Sequence, residues 1–484
     1  MVTIDSGTIR GLERASGFAF LGVPYAAPPV GALRLLAPAP VERWTGVRDA
    51  TRFGPTAPQP AQGFTLIPEP IVEGDACLDP DAWLSLNVFT PDLDAVGLPV
   101  LVYIHGGGYT QGTASSSFYD GRSFNRDGVV VVSVGYRLGA EGFLDLEGAP
   151  KNRAVLDWIA ALEWVQANIA RFGGDPGRVT IAGQSAGGGA CAVLSTIPRA
   201  NGLFQRAIPM SGSAFAPAPA GYSHAKTAAV AAKLGVAPTR EAFAALTPAA
   251  LVAAQAAAPD EADMQNRMLG YGPAVDGELI LAPVIEAARA GAGRDIAMLV
   301  GATIEEFNAM FRSNELDDDT LVLRLAKMGM DADDARALRA ARPDVPAGEI
   351  LGQAMTDTTF RVPGIRLAET RAADDAPGAA PTFSYDVRWR SPGLGGIGAV
   401  HCVDVPFIWD VLDADGVTAL CGDAPPQAMA DAMHGAWMAF ITNGDPGWPA
   451  YDLDRRQTMI FGTTQDGACA PVDDALHAER TTWR

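Results

Sequence analysis

The sequence predicts an α/β protein: a large, mostly parallel central sheet flanked by helices, with small antiparallel strands at the N-terminus and helical insertions. Three observations predict it. Pro99–Ile104 and Val129–Val134 are near-continuous apolar runs, the pattern of strands buried on both faces. Between Arg153 and Phe172, Val155, Leu156, Ile159, Leu162, Val165 and Ile169 keep helical spacing, and Gly173-Gly174-Asp175-Pro176 stops the helix. Arg178–Ala182 then reads as another buried strand, so strand, helix and strand follow at the spacing of a right-handed crossover.

The remaining elements follow in order. Up to about residue 70 the chain is rich in Gly and Pro with short apolar stretches such as Gly17–Val23, which predicts short antiparallel strands and long loops. Beyond Ala214 it becomes helical and Ala-rich, with acidic stretches at Asn314–Asp319 and Asp331–Asp334. Ile296–Gly301, Pro381–Val387 and Thr458–Phe461 read as later strands, and Ala430–Thr442 as a helix ended by Asn443-Gly444-Asp445-Pro446. No repeat of fixed period and no dividing linker is present. Residues 1–484 are therefore expected to form a single catalytic domain with helical insertions over roughly 214–295 and 302–380.

Composition excludes several functions. Of 484 residues, 48% are hydrophobic and 19% charged, so the chain can bury a large core. Lys plus Arg number 36 against 56 Asp plus Glu, a formal net charge of −20 with no basic run, which argues against nucleic acid as a partner. No apolar segment is long enough to span a bilayer, and the first residues lack a signal-peptide pattern. Five scattered cysteines, Cys77, Cys191, Cys402, Cys421 and Cys469, have no zinc-site spacing and read as reduced thiols of a cytoplasmic protein. The expectation is a cytoplasmic monomer or small homo-oligomer acting on a small molecule, with no metal.

Gly183-Gln184-Ser185-Ala186-Gly187 lies between a predicted strand and a predicted helix. In that context Gly-x-Ser-x-Gly is a nucleophile elbow: the glycines relieve a crowded turn that lifts the Ser185 hydroxyl to a helix N-terminus, where developing negative charge is favoured. His105-Gly106-Gly107-Gly108-Tyr109 follows Pro99–Ile104, and its bare amides can receive an oxyanion together with Ala186 N–H. A phosphate cradle would want a Lys or a helix directly after the glycines, and Thr110–Ser117 offers neither.

Sheet enzymes with this elbow order their residues Ser, acid, His. Of the five histidines, His105 precedes Ser185 and His224 leaves too little chain for an acid-bearing strand between. His434 reads as a helix packing residue and His477 as solvated, which leaves His401, after a glycine-rich loop, as the base. The acid should follow Ile296–Gly301, where Glu305 and Glu306 are nearly even by spacing, while Asp276 reads as a turn stabiliser. Tyr109, Phe215, Phe307 and Trp389 are candidates either for lining the site or for core packing.

These residues and others in order resemble the type-B carboxylesterases, the bacterial para-nitrobenzyl-esterase branch of the cholinesterase-like α/β-hydrolases. The resemblance rests on Phe20-Leu21-Gly22-Val23-Pro24-Tyr25-Ala26, Trp44-Thr45-Gly46-Val47-Arg48-Asp49-Ala50, Leu84-Ser85-Leu86-Asn87-Val88, Tyr136-Arg137-Leu138-Gly139, Asn168 through Pro176, and Ser211-Gly212-Ser213. It implies the α/β-hydrolase fold and a serine carboxylic-ester hydrolase needing no cofactor. The implied catalytic set is Ser185, Glu306 and His401, with oxyanion donors Gly107, Gly108 and Ala186. Amide, carbamate or lactone cleavage by the same triad is the alternative; a non-catalytic binding protein is disfavoured because all three residues are present.

Departures from the family pattern carry expectations of their own. The family usually has Glu before the nucleophile, where this chain has Gln184, so a cation beside His401 should be less stabilised and neutral esters preferred over quaternary ammonium esters. Ser211 and Asp404 match positions of buried polar support behind the triad, Asp404 replacing a longer Glu. The usual Cys of the signature stretch is replaced, with Trp83 nearest in register and Cys77 displaced upstream, so no disulfide is expected there. Cys402 occupies a position usually held by Gly; it reads either as a thiol near the active site or, the preferred reading, as a buried structural thiol.

Overall fold

A computed structural model describes residues 1–60, 70–73, 81–212, 217–255, 270–313 and 315–483. Cys77, Ser213 and Phe215 lie outside the described residues. The strands among them are β1 (Val2–Ile4), β2 (Gly7–Arg10), β3 (Leu12–Arg14), β4 (Gly17–Pro24), β5 (Val47–Asp49), β6 (Ser85–Thr90) and β7 (Leu98–Ile104). They continue with β8 (Val130–Val134), β9 (Gly174–Gln184), β10 (Arg206–Met210), β11 (Ala297–Thr303), β12 (Thr382–Val387), β13 (Thr458–Phe461) and β14 (Cys469–Val472).

The large sheet has eleven strands in the order β14-β13-β12-β11-β10-β9-β7-β8-β6-β4-β3. From β8 to β13 every neighbouring pair is parallel, and both margins are antiparallel. The N-terminal strands divide in a way their composition did not indicate. β1, β2 and β5 form a separate three-stranded sheet in which β2 and β5 are parallel, whereas β3 and β4 join the edge of the large sheet.

Both faces of the sheet are covered, as the apolar runs require. Along β7, Val100, Val102 and Ile104 enter one core and Leu101 and Tyr103 the other. The helix Arg153–Asn168 lies in the first core, through Val155, Trp158, Ile159, Leu162 and Val165. It ends through a 3-10 turn, Ile169–Phe172, and Gly173 at φ 84°. The helix Gln427–Asn443 lies in the second core and ends at Gly444, φ 79°, whose N–H donates to Phe440 O at 2.8 Å.

The acidic stretches beyond residue 310 are helix starts. Asp317 accepts from Thr320 N at 2.6 Å and Asp331 from Asp333 N at 2.7 Å, so the carboxylates satisfy first-turn amides that have no partner within the helix. These helices share a small satellite core with Trp483. Among the described residues no helix is long and apolar enough to cross a membrane.

Candidate active site

All the candidate catalytic residues sit at the carboxyl edge of the parallel strands, where ligands bind open α/β sheets. Ser185 follows β9 directly and precedes the helix Ala186–Leu194; its backbone is strained, at φ 61° and ψ −125°. Its N–H is anchored on Met210 O of β10 at 2.9 Å. The flanking glycines are required by crowding. A Cβ at Gly187 would lie 1.9 Å from Ile104 O, and one at Gly183 would lie 2.4 Å from the Gly187 carbonyl carbon.

The glycine loop after β7 is a tight turn, with Thr110 N–H and Gln111 N–H both donating to Gly107 O at 3.1 Å. Gly107 is held at φ 100°, where a Cβ would lie 2.1 Å from Gln111 O. Among the described residues the N–H groups of Gly107, Gly108 and Ala186 have no acceptor, so all three donors remain available to a ligand. The loop is braced from behind. Tyr136 O–H donates to His105 O at 2.9 Å, the two rings stack at 4.4 Å, and Gly139 N–H donates to Tyr109 O at 2.7 Å. Arg137 forks onto the Asp157 carboxylate at 2.6 and 2.8 Å, both side chains fully buried, which fixes the start of that bracing segment. Burial pushes His105 down to about 4, so it is neutral and serves as packing.

The two adjacent carboxylates point to different partners. Glu306, fully buried, accepts Thr303 N–H at 2.8 Å through Oε1, and its Oε2 binds His401 Nδ1. The His401 N–H also donates to Glu306 O at 3.1 Å. Glu305 instead accepts Ala399 N–H at 2.9 Å and pairs with Arg390 at 2.9 Å, which pins the loop that carries His401. Spacing could not separate the two, because the choice depends on which group of a distant loop each one meets, the Ala399 amide for Glu305 and the His401 ring for Glu306.

His401 lies between Phe307 and Phe360, with ring centroids 5.3 and 5.0 Å away. Sequence reasoning named Phe307 but missed Phe360. It projects from a π-helical turn, Asp357–Arg361, joining the helices Ala347–Thr356 and Val362–Ala372, and such a turn leaves no periodic signal. With the Nδ1 proton directed to Glu306, His401 Nε2 is an acceptor. It faces the Gln184 side-chain nitrogen at 3.2 Å; no hydrogen bond joins it to Ser185 Oγ. Such contacts are often long in unliganded sites and close when substrate is present.

Gln184 is oriented by Cys402, whose S–H donates to Gln184 Oε1 at 3.1 Å. Cys402 sits at φ 69°, the left-handed region that glycine favours, which accounts physically for Gly being the usual residue there. Ser211, at the end of β10, and Asp404 are both buried, and neither Ser211 Oγ nor the Asp404 carboxylate has a hydrogen-bond partner among the described residues. Burial pushes the Asp404 carboxyl up to about 7; the Glu306 carboxylate adds to the rise and His401 opposes it.

Other candidates separate from the site. Tyr109 packs on Phe143 and Trp158, and Trp389 on Phe407, so both are core. His434 is buried, bonded to Ile408 O at 2.8 Å and Asp127 at 2.9 Å. His477 is exposed and paired with Asp474. Asp276 collects the N–H groups of Glu278, Leu279 and Ile280 in a turn.

The model of the family described as "Carboxylesterase family" matches residues 1–481. The chain is 34% identical to phenmedipham hydrolase of Pseudarthrobacter oxydans, over 94% of each chain. It is 32% identical to para-nitrobenzyl esterase of Bacillus subtilis, over 95% of this chain and 94% of that one. A solved PNB esterase structure superposes with TM-score 0.86 at 30% identity, and a Geobacillus stearothermophilus carboxylesterase with TM-score 0.86 at 33%. Each of these superpositions covers 100% of this chain and 99% of the other.

Proposed function

Because the chain belongs to the carboxylesterase family and is a carboxylic-ester hydrolase of the α/β-hydrolase fold acting on small molecules, we propose that Ser185, His401 and Glu306 carry the reaction. The observation that supports this most directly is convergence. A strained serine at a helix N-terminus, three backbone N–H groups without acceptors among the described residues, and a buried Glu306–His401 pair all meet at one edge of the sheet. Ser185 Oγ attacks the ester carbonyl carbon while His401 Nε2 takes its proton, once the imidazole has turned from the Gln184 amide to the serine. Glu306 holds the Nδ1 tautomer and stabilises the imidazolium. The N–H groups of Gly107, Gly108 and Ala186 receive the oxyanion. As the tetrahedral intermediate collapses, His401 protonates the departing alcohol, and water repeats the sequence on the acyl-enzyme.

Ser185→Ala should abolish turnover of a para-nitrophenyl ester and labelling by a fluorophosphonate probe while leaving the circular dichroism spectrum unchanged. Retained hydrolysis by a pure sample would refute the assignment. Amide or carbamate cleavage is the second reading, favoured by the similarity to a relative named phenmedipham hydrolase. Matched ester, anilide and carbamate substrates of one acyl group separate the two.

Gln184 supports a preference for neutral esters, since it presents an amide to His401 where the family usually has a carboxylate. Comparable kcat/KM for choline esters and matched neutral esters would sink that preference. The same reading takes the chain as one catalytic domain, supported by a sheet that draws strands from Leu12 through Val472. It also takes the enzyme as cytoplasmic, supported by Cys191, Cys402, Cys421 and Cys469 being thiols rather than disulfides.

A further inference from the structure

A second concave site lies behind the π-helical turn. Thr358 of that turn lines a pocket of about 830 Å³, whereas Phe360, two residues on, packs against His401. The volume falls within the range of small-molecule sites. Its apolar part comes from Ile285, Met328, Val362, Leu453 and Trp483, and its polar part is dominated by Arg289, Arg366, Arg456 and Arg480. Four guanidiniums around one cavity run against the charge of a chain whose formal net charge is −20.

Their compensation is incomplete. The Glu369 carboxylate is shared by three of them, at 3.2 Å from Arg366, 3.4 Å from Arg456 and 3.6 Å from Arg480. Asp474 reaches Arg480 as well, at 3.0 Å. Arg289, on the exposed side, has no ion pair among the described residues, and the buried Nε of Arg480 meets Glu369 only at 3.6 Å, beyond hydrogen-bond distance. Arg456 is held at φ 50°, a left-handed conformation that an arginine adopts only when its surroundings impose it. Among the described residues, two carboxylates face four guanidiniums, which leaves room for further negative charge. The apolar lining asks that this charge be carried on a hydrocarbon body.

We propose that this pocket binds an amphipathic organic anion, a carboxylate or sulfonate on an alkyl or aryl body, with the head group on Arg289 and Arg456 and the body against Met328, Leu453 and Trp483. The site is separate from the catalytic serine and does not depend on the esterase assignment. A free inorganic anion would use the arginines and leave the apolar lining empty, and a neutral alcohol would do the reverse. Only the combination uses both halves.

The test is calorimetric titration of the full chain with octanoate, octanol and inorganic phosphate at fixed ionic strength. Saturable binding of octanoate is expected, with octanol and phosphate each at least about tenfold weaker. Arg289→Gln and Arg456→Gln should each weaken octanoate about tenfold while para-nitrophenyl ester kcat/KM stays unchanged. Octanoate bound only in the catalytic gorge would keep its affinity in both variants. That result, equal affinity for octanol, or the absence of saturable heat would overturn the proposal. If either arginine variant loses esterase activity, Met328→Trp, which fills the cavity without altering charge, takes its place with the same expected loss and the same refuting outcome.

Discussion

Replacing Asp404 by Asn should change the stability of the protein in a way that depends on pH, and the structure fixes the sign. Asp404 is fully buried, its carboxylate has no hydrogen-bond partner among the described residues, and burial beside Glu306 pushes its pKa up to about 7. The other titratable groups that feel its charge are His401, Tyr103, Tyr385 and Cys421. In the unfolded chain the same carboxyl titrates near its ordinary value of about 4. Between these values the folded state holds a proton that the unfolded state has lost, so stability falls as pH rises through the window from about 4 to about 7. Three units of separation correspond to ~4 kcal/mol, lost in full above the folded pKa. Asn has the shape of the protonated acid and cannot ionise. By this linkage Asp404→Asn should gain only about 1 kcal/mol on the wild type near pH 4.5 and up to ~4 kcal/mol at pH 8. For a chain of this length, with an unfolding entropy of roughly 1 kcal/mol/K, that is a Tm difference shifting by about 3 °C in favour of the variant between the two pH values. Thermal melts of both proteins at pH 4.5 and pH 8 measure it. The buried amide nitrogen of Asn adds a cost of its own, but that cost is the same at both pH values. A gap that does not widen with pH would refute the reasoning.

Three further outcomes follow from the site geometry. Glu306→Gln should lower kcat for a para-nitrophenyl ester by about three to four orders of magnitude with little change in KM, because His401 loses the partner that fixes its tautomer. Glu305→Gln, which only loosens the loop at Ala399, should cost far less, and equal losses would reverse the assignment of the two carboxylates. Gly107→Ala should reduce kcat about a hundredfold or more, since a Cβ there would lie 2.1 Å from Gln111 O and the turn must open to admit it. Wild-type kcat in a folded Gly107→Ala sample would remove Gly107 from the oxyanion set.

Much of the fold and part of the site were legible because the relevant constraints are local. A strand buried on both faces must be apolar throughout, so β7 and β8 announced themselves. A turn that brings Gly187 against Ile104 O admits no side chain, so the elbow carried its own signature. What stayed hidden depends on distant segments. Glu305 and Glu306 are distinguished by partners about ninety residues on, Ala399 N–H and Arg390 for the first and His401 for the second, and Phe360 reaches His401 from a π-turn whose extra residue breaks helical periodicity. The partition of β1 through β5 between two sheets is likewise set by pairing partners far along the chain, such as β4 with β6.

The unusual residues around His401 make sense together rather than singly. An amide at position 184 can present either its oxygen or its nitrogen to the imidazole. The Cys402 S–H decides between them by engaging Gln184 Oε1, which leaves the nitrogen towards His401. Gly at 402 would relieve the strain of φ 69° but would remove that donor, so the strained cysteine and the glutamine act as a pair. The same pairing governs charge. With Gln184 neutral and Asp404 protonated below about 7, Glu306 is the one carboxylate bonded to the imidazole. A single negative charge is enough to stabilise the imidazolium formed during catalysis. It leaves little surplus to attract a permanent cation on the substrate, which ties the proposed preference for neutral esters to Gln184, Cys402 and Asp404 jointly. Restoring Glu at 184 alone would then add a carboxylate whose oxygens both accept hydrogen bonds, so that Cys402 could no longer turn a donor towards His401.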